Sequence, residues 1–193
     1  MRFDLRNDPR LRYGVLAGVA TLLLAGWFLM GSGSTGSDQP QSSQPAATPA
    51  PITRVFGPAI ANAQTLKQTA ENSGRPIFWL GKIEGTHIEI TVNSAGAVYL
   101  RYLPLDVEPG SGDQYPLIAT YPDARAVQNV SSVADGSEVS GTLADGTVYS
   151  GEGPKGVRMY QATPGTSVQV EVFSPTPGEA FDAVVAGRVV PVG

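Results

Sequence analysis

THIEITVNSAGAVYLRYL, residues Thr86 to Leu103, is the stretch on which the fold turns. Ile88, Ile90 and Val92 alternate along its first half, and Val98, Leu100 and Tyr102 along its second, which is the period of strands with one buried face. Setting both apolar sets on one face pairs Val92 with Val98 and Ile90 with Leu100. The loop is then Ser94-Ala95-Gly96, with Gly96 where a left-handed backbone is needed. A two- or four-residue loop would set Ile88 and Ile90 against Tyr99 and Arg101, so the apolar pattern rejects it. The favoured register places Glu89 opposite Arg101 on the other face. A solvated cross-strand ion pair is expected there, worth about 0 to 1 kcal/mol.

Upstream of the hairpin, Ile77-Phe78-Trp79-Leu80 is a continuous apolar run closed by Gly81, which predicts a strand buried on both faces at the centre of the sheet. Before it, Ile60, Ala63, Leu66 and Ala70 recur at helical spacing, which predicts a helix over Ala59 to Ser73 stopped by Gly74. Downstream, a strand over Leu117 to Tyr121 meets Pro122. Asp123 then caps a predicted helix through Val133, with Gly136 as its stop. A small hairpin is expected over Ser137 to Ser150 around Asp145-Gly146, and a second good one from Val157–Gln161 and Ser167–Phe173 around Pro164-Gly165. Thr176-Pro177-Gly178-Glu179 reads as a capping box opening a short terminal helix. Leu117 to Val130 and Val168 to Val185 both run strand, proline, helix, an echo too loose to count as a repeat. These elements define an α+β domain over residues 53–193, with a mainly antiparallel sheet and about three helices.

Ahead of that domain, Tyr13 to Met30 carries no charge and spans roughly 27 Å as a helix, close to the thickness of a bilayer. In hydrocarbon only a helix satisfies the backbone of an isolated span. Arg2, Arg6, Arg10 and Arg12 precede it, and no Lys or Arg follows until Arg54, so the amino terminus is expected in the cytoplasm. The expected organisation is a cytoplasmic stub at 1–12, a transmembrane anchor at 13–33, a stalk at 34–52 and an extracytoplasmic domain, which makes a single-pass protein of the plasma membrane. A cleaved signal peptide is the rival reading, disfavoured by bulky Trp27, Phe28, Leu29 and Met30 before any cleavage site. The stalk, mostly Gly, Ser, Thr, Gln, Pro and Ala, cannot build a core. It is expected to be disordered, with a reach on the order of 25 Å.

Composition narrows the chemistry. With Cys absent, disulfides, zinc-thiolate sites and thiol nucleophiles are excluded together. The net charge is -4 and the stub contributes +2, so the remainder is acidic and nucleic acid is a poor partner. His87 is the one histidine, which excludes histidine-rich metal sites, and at a strand edge it is expected to be solvent-exposed. Gly151-Glu152-Gly153-Pro154-Lys155-Gly156 matches a phosphate-loop spacing. A strand follows it instead of a helix, however, and Glu152 would repel phosphate, so we read a plain glycine loop. Asp106, Glu108 and Asp113 offer oxygen donors to calcium, although a solvated acidic loop turned by Pro109 and Gly110 is the preferred reading. Glu84 with Glu89, or Asp106 with Glu108, are the carboxylate pairs a glycoside hydrolase would need, and nothing in their spacing establishes the required separation. Among the large aromatics near the sheet, Phe78 and Trp79 are expected to fill the core and Tyr99 and Tyr115 to make surface contacts.

The segments Arg75-Pro76-Ile77-Phe78-Trp79-Leu80-Gly81, Arg101-Tyr102-Leu103-Pro104 and Thr120-Tyr121-Pro122 resemble a loose group of uncharacterised bacterial envelope proteins with an N-terminal anchor. The resemblance covers about half of the domain. It implies a bacterial surface location and carries over no activity.

No catalytic constellation or cofactor is therefore expected. The chain reads as a membrane-anchored interaction module of the bacterial envelope, contacting the bilayer through residues 13–33 and another envelope protein, a peptide or a glycan through its domain. Glu89, Arg101, Tyr99 and His87 are the candidate binding surface. The alternatives are an accessory subunit of a membrane complex, docked through a span containing Gly14 and Gly18, and an extracytoplasmic carboxylate-dependent hydrolase.

Overall fold

The computed structural model describes residues 56–133 and 137–193; the expected anchor and stalk lie outside them. Among the described residues no helix is long and apolar enough to cross a membrane. In chain order the elements are β1 (Phe56–Ala61), α1 (Ala63–Ser73), β2 (Phe78–Trp79), β3 (Thr86–Val92), β4 (Val98–Pro104), β5 (Leu117–Pro122), α2 (Ala126–Val133), β6 (Val139–Thr142), β7 (Val148–Gly151), β8 (Arg158–Ala162), β9 (Val168–Phe173), α3 (Glu179–Val185) and β10 (Val190–Pro191). Eight strands form one sheet in the order β1-β3-β4-β5-β9-β8-β7-β6, antiparallel at every pairing. Two meanders thus grow inward from opposite edges and meet where β5 pairs with β9. The expected compact domain, with a mainly antiparallel sheet and three helices, is the one observed.

The β3–β4 hairpin has the predicted register, with Val92 opposite Val98, Ile90 opposite Leu100 and Glu89 opposite Arg101. Gly96 sits in the turn at φ +78, and Asn93 organises the loop by accepting the Ala95 and Ala97 amides on its side chain. The apolar set of this hairpin continues across Ile118, Val170, Val172 and Met159 to make one face of the sheet, here called the inner face. Leu66 of α1, Ile77 and Phe78, and Ala180, Ala183 and Val184 of α3 cover it. On the opposite, outer face Ala126 and Val130 of α2 pack on Ala162 with Val148 and Tyr160. Helices α2 and α3 therefore lie on opposite faces, so the strand-proline-helix echo is not a structural repeat.

Three expectations need correction. Ile77 to Leu80 is not the sheet centre. Only Phe78 and Trp79 are extended, paired with β10 in a separate two-stranded ribbon laid over the inner face. The run is apolar because it is a second layer: the Phe78 amide donates to Thr120 Oγ1 at 3.2 Å and the Leu80 amide to the Tyr102 hydroxyl at 2.7 Å. Second, Ala59 to Ala61 belong to edge strand β1, and α1 begins after Asn62, whose side chain accepts the Thr65 amide. Ile60, taken as a helical core position, is instead exposed. Third, no capping box forms at α3. Its N-cap is Gly178 at φ +88, while Glu179 accepts the Ser174 hydroxyl at 2.6 Å. Gly136, the expected stop of α2, lies outside the described residues.

Candidate functional site

The sheet register explains why polar side chains gather on the outer face. Along one row Glu89, Arg101, Leu117, Phe173 and Arg158 are successive cross-strand neighbours, and along the next run Thr91, Tyr99, Ala119, Glu171, Tyr160 and Ser150. Each of these residues alternates with a core residue of the inner face, as strand geometry requires.

At the β3–β4 end, Glu89 is 2% exposed, in contrast to the solvated pair expected. Its Oε1 lies 3.2 Å from Arg101 Nη1, and its Oε2 accepts the Gly110 amide at 2.5 Å. Arg101 in turn donates to the carbonyls of Ser111 and Asp113 at 2.7 and 3.3 Å, and its guanidinium lies over the Tyr115 ring. The segment between β4 and β5 therefore folds down over the pair. The hairpin pattern could not show this, because the covering segment is non-local and carries no apolar period. His87 also departs from expectation: it is half-buried, its Nε2 is shielded from solvent, and that atom has no hydrogen-bond partner among the described residues. Asp106, Glu108 and Asp113 are exposed on the same segment, and no three His, Asp or Glu side chains converge as a cation site among the described residues. Glu89 is committed to Arg101 and Gly110 while Glu84 is exposed, and Asp106 and Glu108 are both exposed.

At the centre of the face lies a second, half-buried cluster. Glu171 holds Arg158 Nε at 2.7 Å on one carboxylate oxygen and the Tyr121 hydroxyl at 2.8 Å on the other. Tyr99 meets Tyr121 edge to face, with ring centroids 5.8 Å apart, and the Arg158 guanidinium lies over Phe173. Burial, then the Glu171 charge and hydrogen bond, with Tyr99 adding to them, drive the Tyr121 phenol far above its ordinary pKa. Burial followed by the Glu171 charge also raises Tyr160, against the opposing effect of Arg158.

Beside this cluster, along the flank of α2, lies a groove of about 260 Å³, lined by Asn129, Val130, Val133, Ser150, Tyr160 and Gln169. Tyr160 is the cross-strand neighbour of Glu171, and Gln169 that of Tyr121, so groove and cluster are continuous. Asp123 Oδ2 accepts Asn129 Nδ2 at 2.7 Å, and Ser150 Oγ donates to the Val130 carbonyl at 3.1 Å. The Tyr160 hydroxyl, the Gln169 amide and Asn129 Oδ1 make no hydrogen bond to another described residue.

Of the four residues singled out from sequence, Tyr99 alone joins the central cluster; Glu89 and Arg101 serve the clasp on the β4–β5 segment, and His87 lies at the far end of β3. The residues missed are Arg158, Tyr160, Gln169 and Glu171. The signal for them was the same alternation that solved the first hairpin, since these positions interleave with Met159, Val168, Val170 and Val172.

Comparison of the chain with protein-family models, with curated proteins and with solved structures finds no match.

Proposed function

We propose that this protein is a membrane-anchored, extracytoplasmic interaction module of a bacterial envelope, held to the plasma membrane by residues 13–33, spaced from it by 34–52 and binding its partner through the outer face of the sheet. One observation carries the binding part: a groove next to α2, with no charged side chain in its lining among the described residues, presents polar groups that have no described internal partner. Polar groups that are partly withdrawn from water and unmatched inside the protein are what a ligand can satisfy. The location is supported by the charge-free stretch Tyr13–Met30, the arginines before it and the stalk composition after it.

A photoreactive benzoylphenylalanine placed at Val133, which is 52% exposed on the rim of the groove, tests this in intact cells, with the same group at exposed Lys67 of α1 as the comparison. Adducts from Val133 and none from Lys67 are expected. Adducts from Lys67 alone would place the interaction on the other side of the domain and contradict the proposal.

A further inference from the structure

We infer that the groove between α2 and strands β7 to β9 takes one residue of a neutral oligosaccharide, with the chain continuing across Tyr121 and Tyr99. The inference depends on the outer face being the binding face. Three observations select this ligand class over an ionic or a peptide one.

The first is charge. No charged side chain lines the groove among the described residues, and the described carboxylates around it already accept hydrogen bonds: Glu171 from Arg158 and Tyr121, Asp123 from the Asn129 side chain and the Arg125 amide, and Glu152 from the Val157 amide. The lining offers uncharged groups, namely the Tyr160 phenol, the Gln169 primary amide and the Asn129 amide oxygen. This set donates and accepts at short spacing without asking for an ion, as vicinal hydroxyls require.

The second is the backbone. The groove lies on the face of the sheet, and the strands that floor it, β7, β8 and β9, are each paired on both sides. Their amides and carbonyls are used in the ladders, so an extended peptide finds no strand edge to join and would leave its own backbone groups unpaired. A saccharide brings no such obligation.

The third is size and surface. About 260 Å³ falls a little below the roughly 300 Å³ at which ligand pockets usually begin, so the groove admits a single ring-sized unit. Tyr160, Tyr121 and Tyr99 then give a polar-tipped aromatic path for adjoining units, in which the Tyr99 ring stands edge-on to that of Tyr121. Aromatic rings of this kind supply contact area without charge.

The test uses the full-length protein in detergent micelles, titrated to millimolar concentration with cellotetraose, maltotetraose and the N-acetylglucosamine tetramer, and with tetragalacturonate as a charged counterpart. Binding is read by saturation-transfer NMR. At least one neutral tetrasaccharide is expected to bind, more tightly than the uronate. Tyr160→Phe, which removes only the hydroxyl, and Gln169→Ala should each weaken it roughly three- to tenfold. The melting temperature of Tyr160→Phe should stay that of the wild type, which separates lost binding from lost fold. Failure of all three neutral saccharides, tighter binding of the uronate, or affinity unchanged in both variants would overturn the inference. The Val133 crosslink separates the two levels: peptide adducts without saccharide overturn the glycan assignment and leave the outer face as the interaction face, whereas adducts only from Lys67 remove both.

Discussion

The Glu89 carboxylate, buried on the outer face, binds Arg101 across the β3–β4 ladder and the Gly110 amide from above, so a register contact doubles as the clasp for the segment between β4 and β5. Because one partner is desolvated, the pair carries more weight than the surface bridge its sequence position suggests. Glu89→Ala leaves the Gly110 amide without its acceptor and Arg101 without its carboxylate partner, and is expected to cost about 2 to 4 kcal/mol, tempered by the 22% exposure of the Arg101 side chain. Glu89→Gln, which retains an acceptor for Gly110, should cost less than half as much. Urea denaturation measures both, and limited proteolysis should cut Glu89→Ala between Pro104 and Leu117 well before the wild type. Equal stability of Glu89→Ala and wild type would show that the clasp contributes nothing.

Tyr102 sets a limit at alkaline pH. Its burial pushes the phenol up to about 12, while the Leu80 amide donated to its oxygen acts in the opposite direction. Above pH ~10 the unfolded chain loses this proton and the folded chain keeps it, so the native state binds more protons and stability falls as pH rises, by about 1.4 kcal/mol per pH unit per group until the folded phenol titrates. Denaturation at pH 8 and at pH 11 should show that decline, and Tyr102→Phe should reduce it. Tyr102→Phe is also expected to cost about 1 to 3 kcal/mol at neutral pH, since the half-buried Leu80 amide loses its acceptor. A decline of the same size in the variant would assign it to other groups.

Gly178 distinguishes a steric requirement from a purely conformational one. It has φ +88, and a Cβ there would come within 2.7 Å of the Pro154 carbonyl oxygen, whereas Gly187 has φ +64 with nothing within 4 Å. Gly178→Ala should therefore cost about 2 to 4 kcal/mol and Gly187→Ala about 1 kcal/mol. Thermal unfolding of the two variants compares them, and a reversed order would contradict the close approach between α3 and the Gly153–Lys155 turn.

How far the fold could be read from the residues differs by element. Where apolar and polar positions alternate, as in β3 and β4, strand, face and register all follow, because a shift of one residue would turn every side chain over. Ile77 to Leu80 failed because a continuous apolar run says only that both sides are covered. A central strand and a ribbon stacked on the sheet satisfy that equally well. The edge strand β1 was missed because edge position, Gly57 and Pro58 remove most of the alternation. The site was legible in part. Alternation put Glu89 and Arg101 together, but the segment that buries them, and the proximity of α2 to Tyr160 and Gln169, arise from contacts far apart in the chain.

The proposed topology makes a separate prediction. Protease added to intact spheroplasts should digest the domain after Pro51 while leaving a membrane-bound fragment that contains residues 13–33. Release of a mature form that begins near Gly33 would replace the anchor with a cleaved signal peptide.

The most direct test of the outer face as the binding surface is hydroxyl-radical footprinting of the tyrosines, performed on the protein in intact cells and on the purified full-length chain. Tyr99 and Tyr160 lie half-buried on the outer face, and Tyr149, packed against the core of the inner face, is the internal reference. Tyr99 and Tyr160 should oxidise more slowly in cells than in the purified protein, with Tyr149 unchanged. Equal rates for Tyr99 and Tyr160 in the two settings, or protection confined to Tyr149, would contradict the account.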